Sequence, residues 1–479
     1  MGGASFQFIG FALLVAIVFN LHRSVAWRQA ILLIASIGFL TFFSRDPIAW
    51  LPLAGFLGFG FISIRRLQSG SGRALFVPAL IAAVAGFVWL KKYTFLPSAL
   101  FLPFPYVTLG LSYVFFRVLH LMIDAKDGAA PNQISVVSYL NYTLNFTTLV
   151  SGPIQRYQDF VEMQLARTPL PLDIVIVGQA VERIIRGFFK VNVLSLFLSM
   201  AQNQALETLA GNLTFGERLS KGLIIAVSYP LYLYCNFSGY IDIVIGVARL
   251  LRIELPENFN RPFSADNFMN FWSRWHITLS EWLKTYVYNP LLISLMRRYS
   301  SPDIEPFLGV FAFFVTFFLV GVWHGQTSVF IFFGVLQGLG VSVAKLYQVL
   351  MAKWIGRKQY RSLAGNPVYN VFARGLTFTW FTFTLLWFWS NWGQLGFIAQ
   401  HLGVGVIAAA WLTIFVGSSV VLDGWERARA WMLSFRRDNA PILLSRYVRT
   451  VWGTAQALVA SAVVILLNEP APEIVYKAF

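Results

Sequence analysis

Two histidines stand where an otherwise lipid-compatible chain turns polar. His276 lies in the run Pro256 to Lys284, which also holds Glu257, Asn258, Asn260, Arg261, Asp266, Asn267, Asn270, Arg274 and Glu281. His324 closes the apolar run Phe307 to Val322, in the block Val322-Trp323-His324-Gly325. A neutral imidazole can take a proton from an alcohol and return one to a leaving group, because its reference pKa lies close to working pH. Fully charged side chains at membrane depth cost about 2.5–3.5 kcal/mol on insertion scales, so polar islands there usually mark a site. The pattern reads as a membrane enzyme built around His276 and His324, with Trp275 and Trp323 as the walls directly preceding them. Gly321 and Gly325 flank the second histidine and permit another group to approach the backbone closely.

Rival chemistries are weaker. Ser280 follows His276 by four residues, but no GxSxG elbow exists for a serine hydrolase. No HExxH pairing accompanies the histidines, so no metal site is expected. Cys235 is the only cysteine, which excludes an intramolecular disulfide or a Cys-rich metal cluster and suits a small packing residue. His22, His120 and His401 lack comparable settings, although His120 falls inside a span. Lys190, Arg183 and Arg186 could contact phosphate, with Glu182 placed to pair with Arg186 one helical turn on.

The elements that must position these groups are membrane helices. The 479 residues are 57% hydrophobic and only 12% charged, which a soluble chain of this length does not support. Aromatic residues make up 17%, fitting a lipid-facing body with interfacial belts. Apolar runs of spanning length fall near 5–21, 28–44, 48–64, 74–91, 106–123, 172–200, 221–252, 307–323, 327–350, 371–390, 396–421 and 448–467. The fold class is therefore an all-α polytopic membrane protein of roughly a dozen transmembrane helices with re-entrant or interfacial ones. The 221–252 run is long enough for two segments broken near Asn236 to Gly239, and the Thr/Asn-rich segment 136–151 suits a re-entrant piece. The first apolar run has no basic region ahead of it and no small-residue cleavage site, and reads as a retained transmembrane helix.

Within the polar island, Pro256 and Pro262 bar a helix across Glu257 to Arg261. From Phe268, the residues Phe271, Trp272, Trp275, Leu279 and Trp282 recur at helical spacing and predict one amphipathic helix, capped by Ser264 or Asp266, with His276 at the margin of its stripe. The net charge of +16 follows the positive-inside rule and also offers a basic face for an acidic partner. Arg23 and Arg28 after the first span, and Arg65, Arg66 and Arg73 after the third, set the N-terminus outside, with Lys91 and Lys92 cutting the other way.

Several blocks together resemble the membrane-bound O-acyltransferase (MBOAT) family. They are Ser151-Gly152-Pro153-Ile154-Gln155-Arg156-Tyr157, Arg186-Gly187-Phe188-Phe189-Lys190, Cys235 to Asp242, Leu255 to Phe263, Phe271 to Ser280 and Trp323-His324-Gly325. The resemblance covers roughly residues 105–345 and is to the bacterial branch of teichoic-acid D-alanyl transfer and alginate O-acetylation proteins. It implies a ring of helices around a tunnel, a catalytic role for His324 and a place in the same site for His276. It also implies substrate-binding roles for Trp275, Trp323, Asn258, Asn260, Arg274, Asp242, Gln155 and Arg156. The expected organisation is one membrane domain, with helices 1–104 and 346–479 flanking a core at 105–345. The expected donor is a thioester, on a phosphopantetheine carrier protein or coenzyme A, at the cytoplasmic side of a bacterial inner membrane, with no tightly bound cofactor. The expected acceptor is a hydroxyl of an envelope glycan or relay protein; membrane lipids are partners and nucleic acid is not. Where alginate-type proteins carry Pro-Leu-Gly-Gly this chain has Asn289-Pro290-Leu291-Leu292, whereas Leu295 to Tyr299 is closer to the D-alanyl branch, so the acyl group stays open. The rival class is a transporter exporting an envelope precursor through the same polar groups.

Overall fold

Helices run through nearly all of the chain in the computed structural model, which describes residues 4–69, 73–131, 133–437, 440–467 and 472–473. The first eight are α1 (Phe6–Asn20), α2 (Val25–Thr41), α3 (Leu51–Gln68), α4 (Phe76–Leu90), α5 (Leu111–Asp127), α6 (Val136–Thr143), α7 (Tyr157–Leu165) and α8 (Ile174–Phe189). They are followed by α9 (Leu196–Glu207), α10 (Phe215–Leu250), α11 (Phe268–Trp272), α12 (Ile277–Leu283), α13 (Asn289–Arg298) and α14 (Glu305–His324). The last six are α15 (Ser328–Trp354), α16 (Arg357–Ala364), α17 (Pro367–Trp389), α18 (Trp392–Leu402), α19 (Val404–Ser434) and α20 (Arg446–Leu467). Among the described residues eight helical stretches are long and apolar enough to cross a membrane, and α1, α2 and α4 are shorter apolar helices.

By packing, the chain resolves into two compact units: Met1–Asn192, Asn236–Glu257 and Val459–Phe479 in the first, and Val193–Cys235 and Asn258–Leu458 in the second. The first unit is organised around α5, which is buried along almost its whole length. Its Arg117 guanidinium donates to the carbonyls of Tyr142 (2.9 Å), Thr143 (2.8 Å) and Thr148 (3.0 Å) and to the Thr148 hydroxyl (2.6 Å). Those bonds satisfy the backbone where α6 stops, and the Thr/Asn-rich segment leaves the helix after Thr143. In the second unit α14 and α15 pack side by side, α17 lies against α15, and α19 against α17.

Three local expectations are corrected. The 221–252 run forms one continuous helix, α10, with Pro230 inside it and no break at Asn236 to Gly239. Asn236 is buried and its side-chain amide donates to the Glu473 carbonyl at 3.2 Å, so a polar side chain is accommodated without opening the backbone. Conversely, the 396–421 run divides between α18 and α19 at Gly403, whose φ of +74° no helix accepts. The stripe from Phe268 to Trp282 is not one helix: α11 and α12 are separated by a turn at Ser273 to His276. The N-cap of α11 is Asn267, which accepts from the Asn270 amide at 2.9 Å, while the Asp266 carboxylate takes the side-chain amides of Asn267 (2.8 Å) and Asn270 (2.5 Å). Ser264 is drawn off by Arg274, which donates to its hydroxyl at 2.8 Å.

Candidate functional site

The turn that interrupts the helix is what presents His276. Residues 258–260 run antiparallel to 274–277: the Asn260 amide donates to the Arg274 carbonyl at 2.9 Å and the Ile277 amide to the Asn258 carbonyl at 3.0 Å. The pairing is short because Pro256 and Pro262 leave only a few residues able to donate between them. It forces His276 into the left-handed region, with φ +46° and ψ +52°, a conformation costly for a residue carrying a Cβ. Trp275 holds the turn down. Its fully buried indole packs against Tyr234, Phe259, Phe263, Phe271 and Phe381 at centroid distances of 5.1–6.4 Å.

Asn258 organises the polar side of this turn. It is fully buried, and its side-chain oxygen accepts from the Thr278 amide (3.1 Å) and the Thr278 hydroxyl (2.9 Å), with His276 Nδ1 at 3.3 Å. A backbone N–H can only donate, so the Thr278 amide identifies the Asn258 atom as oxygen and not nitrogen. His276 must then carry its proton on Nδ1, which leaves Nε2 with the basic lone pair. Burial pushes this imidazole down to about 3, so it stays neutral at physiological pH.

His324 ends α14 and is buried in an aromatic box. Its ring lies 4.6 Å from that of Trp323, 5.1 Å from Phe388 and 6.0 Å from Phe333. The flanking glycines are spacers for protein, not openings. A Cβ on Gly325 would sit 2.0 Å from the Phe330 ring, and one on Gly321 would sit 2.0 Å from the Gly334 Cα of α15. Only hydrogen at both places lets α15 close over the histidine.

Both histidine blocks rest on the same two helices of the second unit. Trp275 packs on Phe381 of α17 at 5.1 Å, and His324 on Phe388 of the same helix. Trp272 packs on Phe317 of α14 at 5.0 Å, and His324 is itself on α14. Each interval is seven residues, two helical turns, or about 10 Å of axial rise. Asn260 and Arg274 belong to the same turn and Trp323 to the same helix end, so seven of the ten expected site residues lie in the second unit. Gln155, Arg156 and Asp242 lie in the first.

There Asp242 is the counter-ion of a cationic cluster. Its carboxylate meets Lys190 Nζ at 2.8 Å, Arg183 Nε at 3.0 Å and Arg186 Nε at 3.5 Å, and Arg183 also pairs with Glu257 at 2.6 Å. The three cations flagged as phosphate contacts are thus engaged with carboxylates. Gln155 donates to the Glu254 carbonyl at 3.3 Å, and Arg156 is exposed at the N-cap of α7. Sequence reasoning underrated His120. It is buried, with Nε2 3.0 Å from Asp124 Oδ2 and Nδ1 3.3 Å from the Tyr142 hydroxyl. The His-x-x-x-Asp spacing on one helix face was the signal available for it.

The sequence model of the membrane-bound O-acyltransferase family matches residues 121–388, more than half of the chain and inclusive of both histidine blocks. The teichoic acid D-alanyltransferase of Bacillus subtilis (strain 168) is 28% identical over 324 residues, which cover 67% of this chain and 78% of the relative. The protein of the same name in Streptococcus thermophilus is 29% identical over 259 residues, covering 52% and 58%. A "Probable alginate O-acetylase AlgI" of Pseudomonas aeruginosa is 28% identical over 256 residues, covering 52% and 46%. The chain thus spans only about half the length of the latter two. With its family-wide match and its helices of spanning length, the chain belongs to the membrane-bound O-acyltransferases: it is a multi-pass membrane enzyme that transfers an acyl group to a hydroxyl.

Proposed function

We propose that this enzyme moves an acetyl or D-alanyl group from a thioester donor on the cytoplasmic side to a hydroxyl of a cell-envelope glycan, or of a protein that relays the group outward. The donor is carried on a phosphopantetheine arm or on coenzyme A. The reading sets the protein in a bacterial plasma membrane with its N-terminus outside. The names of the relatives support both acyl groups and an envelope polymer as acceptor. The observation that carries the mechanism is the pair of buried histidines resting on α14 and α17 in one unit.

In this mechanism His324 takes the proton of the attacking hydroxyl as its oxygen bonds to the thioester carbonyl carbon. The carbon–sulfur bond then breaks and the thiolate leaves with the proton returned by the imidazolium, so charge and atoms balance. His276 polarises or orients the reacting group as an imidazole kept neutral by burial and held in one tautomer by Asn258. The aromatic box around His324 would keep water from the thioester, limiting hydrolysis. The test is turnover of a radiolabelled acetyl or D-alanyl thioester by the purified protein with a soluble hydroxyl acceptor. Stoichiometric appearance of acyl ester and free thiol is expected. Movement of an envelope precursor across reconstituted vesicles with no thiol release from any donor would refute it in favour of transport.

A further inference from the structure

A basic groove on the second unit is used by none of the chemistry above. It has a volume of about 730 Å³ and is lined from α15 by Lys345 and Lys353, from α16 by Arg357, Tyr360 and Arg361, and from the approach to α14 by Asp303. Four cations thus face one carboxylate. Among the described residues, no hydrogen bond or ion pair engages the side chains of Lys345, Lys353, Arg357 or Arg361. Four like charges gathered around a single carboxylate repel one another, and a concave wall of apolar protein strengthens that repulsion. Such a grouping is stabilised by an anion in the groove.

The level of the groove identifies the anion. α15 has 27 residues, a length of about 40 Å at 1.5 Å per residue, against a hydrocarbon core of about 30 Å. Its final turns therefore emerge at the depth of the headgroups. The exposed side chains there are those of an interface: Trp354 is 82% accessible and Leu350 48%. An apolar flank for acyl chains thus adjoins a basic pocket at phosphate depth. Arg357 and Arg361 lie one turn apart on α16, so two guanidiniums can address one phosphodiester, with Lys353 and the Tyr360 hydroxyl beside them.

We propose that this groove is a binding site for the phosphodiester headgroup of an anionic phospholipid. Each Lys or Arg near an anionic surface is worth about 1 kcal/mol, or roughly fivefold in affinity. Replacing Lys353, Arg357 and Arg361 together by Gln should weaken binding at least tenfold.

The experiment measures binding of a fluorescent short-chain phosphatidylglycerol to the purified full-length protein in neutral detergent. Saturable binding is expected, displaced by unlabelled phosphatidylglycerol but not by phosphatidylcholine of the same chain length or by millimolar inorganic phosphate. The triple variant should lose the affinity, and Arg357→Lys should keep most of it. Equal displacement by phosphatidylcholine would overturn the assignment. Displacement by inorganic phosphate as effective as by the lipid would make the groove a free-phosphate site and overturn it as well. Displacement by an acidic carrier protein but not by the unlabelled lipid would assign the groove to the acyl donor instead. Should the triple variant not fold, the competition series on the wild-type protein decides alone.

Discussion

Asn258 is the residue through which the proposed role of His276 can be tested most sharply. Its side-chain oxygen serves the Thr278 amide, the Thr278 hydroxyl and His276 Nδ1, all of them buried. Asn258→Ala leaves these donors without that acceptor. The Thr278 hydroxyl can rotate away, but the amide and the imidazole N–H cannot. Loss of two buried hydrogen bonds at about 1.5 kcal/mol each gives a destabilisation near 3 kcal/mol, or a melting temperature lower by about 3 °C for a chain of 479 residues. The imidazole also loses the contact that fixes its tautomer, so turnover should fall more than substrate affinity. Asn258→Asp restores the acceptor and adds a charge. Two unit charges 3.3 Å apart attract by roughly 5 kcal/mol at an effective dielectric of about 20, which corresponds to about 3.5 pKa units. The His276 imidazole, held down at about 3 by burial, would rise toward neutrality. Wild-type transfer should therefore show no acid limb from His276 between pH 5 and 8, whereas the Asn258→Asp variant should lose activity as pH falls through about 6–7. The assay is a pH–rate profile of acyl transfer on both proteins beside thermal melts of the Ala variant. Superimposable profiles, or an Ala variant with unchanged melting and turnover, would refute the tautomer argument.

His324→Ala should reduce acyl transfer by about 10²–10⁴-fold with normal membrane insertion, the range for loss of a general base; near-normal turnover would remove His324 from the mechanism. Gly325→Ala drives a Cβ into the Phe330 ring at 2.0 Å and should cost about 1–3 kcal/mol, read as a lowered melting temperature with loss of activity, because Phe330 packs on the Phe388 that contacts His324. The pH dependence of stability has a definite sign. The folded-state pKa of His276 is depressed below its ordinary value of 6.5, so its contribution is complete above pH 6.5 and is lost as pH falls from there toward about 3. Between pH 7 and 5 that loss is about 2 kcal/mol, and His276→Gln should flatten the corresponding slope of melting temperature against pH. Combining His276→Gln with His324→Ala should cost much less than the product of the single effects if both act on one reacting group; multiplicative losses would show that they act on separate steps.

The parts of this fold legible in the sequence were those set by long-range composition. Apolar runs of spanning length gave the helices, and the prolines at 256 and 262 gave the irregular segment between α10 and α11. What failed was punctuation within runs. The stripe Phe268 to Trp282 has helical spacing because the same aromatic residues bury against Phe317 and Phe381 whether or not the helix is continuous. The break at His276 comes from pairing with residues 258–260, and no periodicity records a tertiary pairing. The reverse error at Asn236 to Gly239 has the matching cause: a buried helix tolerates polar and glycine residues when tertiary partners satisfy them. His120 was undervalued because its partners Asp124 and Tyr142 come from two helices, and only the first is a sequence neighbour.

The two-turn interval between the histidine blocks bears on how an acyl transfer site can be divided. One imidazole must reach the attacking hydroxyl within about 3 Å in the transition state. The Trp272 and Trp275 contacts that seat the His276 block lie about 10 Å along α14 and α17 from those of His324, so the two imidazoles meet one reacting group only where their side chains project toward one another. The chain treats the two differently. His324 is packed against the rings of Trp323 and Phe388. His276 is held by an amide oxygen that dictates its tautomer, and its backbone is kept in a costly conformation to meet it. A base must change protonation state during each turnover, whereas a group that positions or polarises must not. In the mechanism we propose, the mobile proton is therefore assigned to His324, and the left-handed turn at residue 276 secures the imidazole that keeps its own.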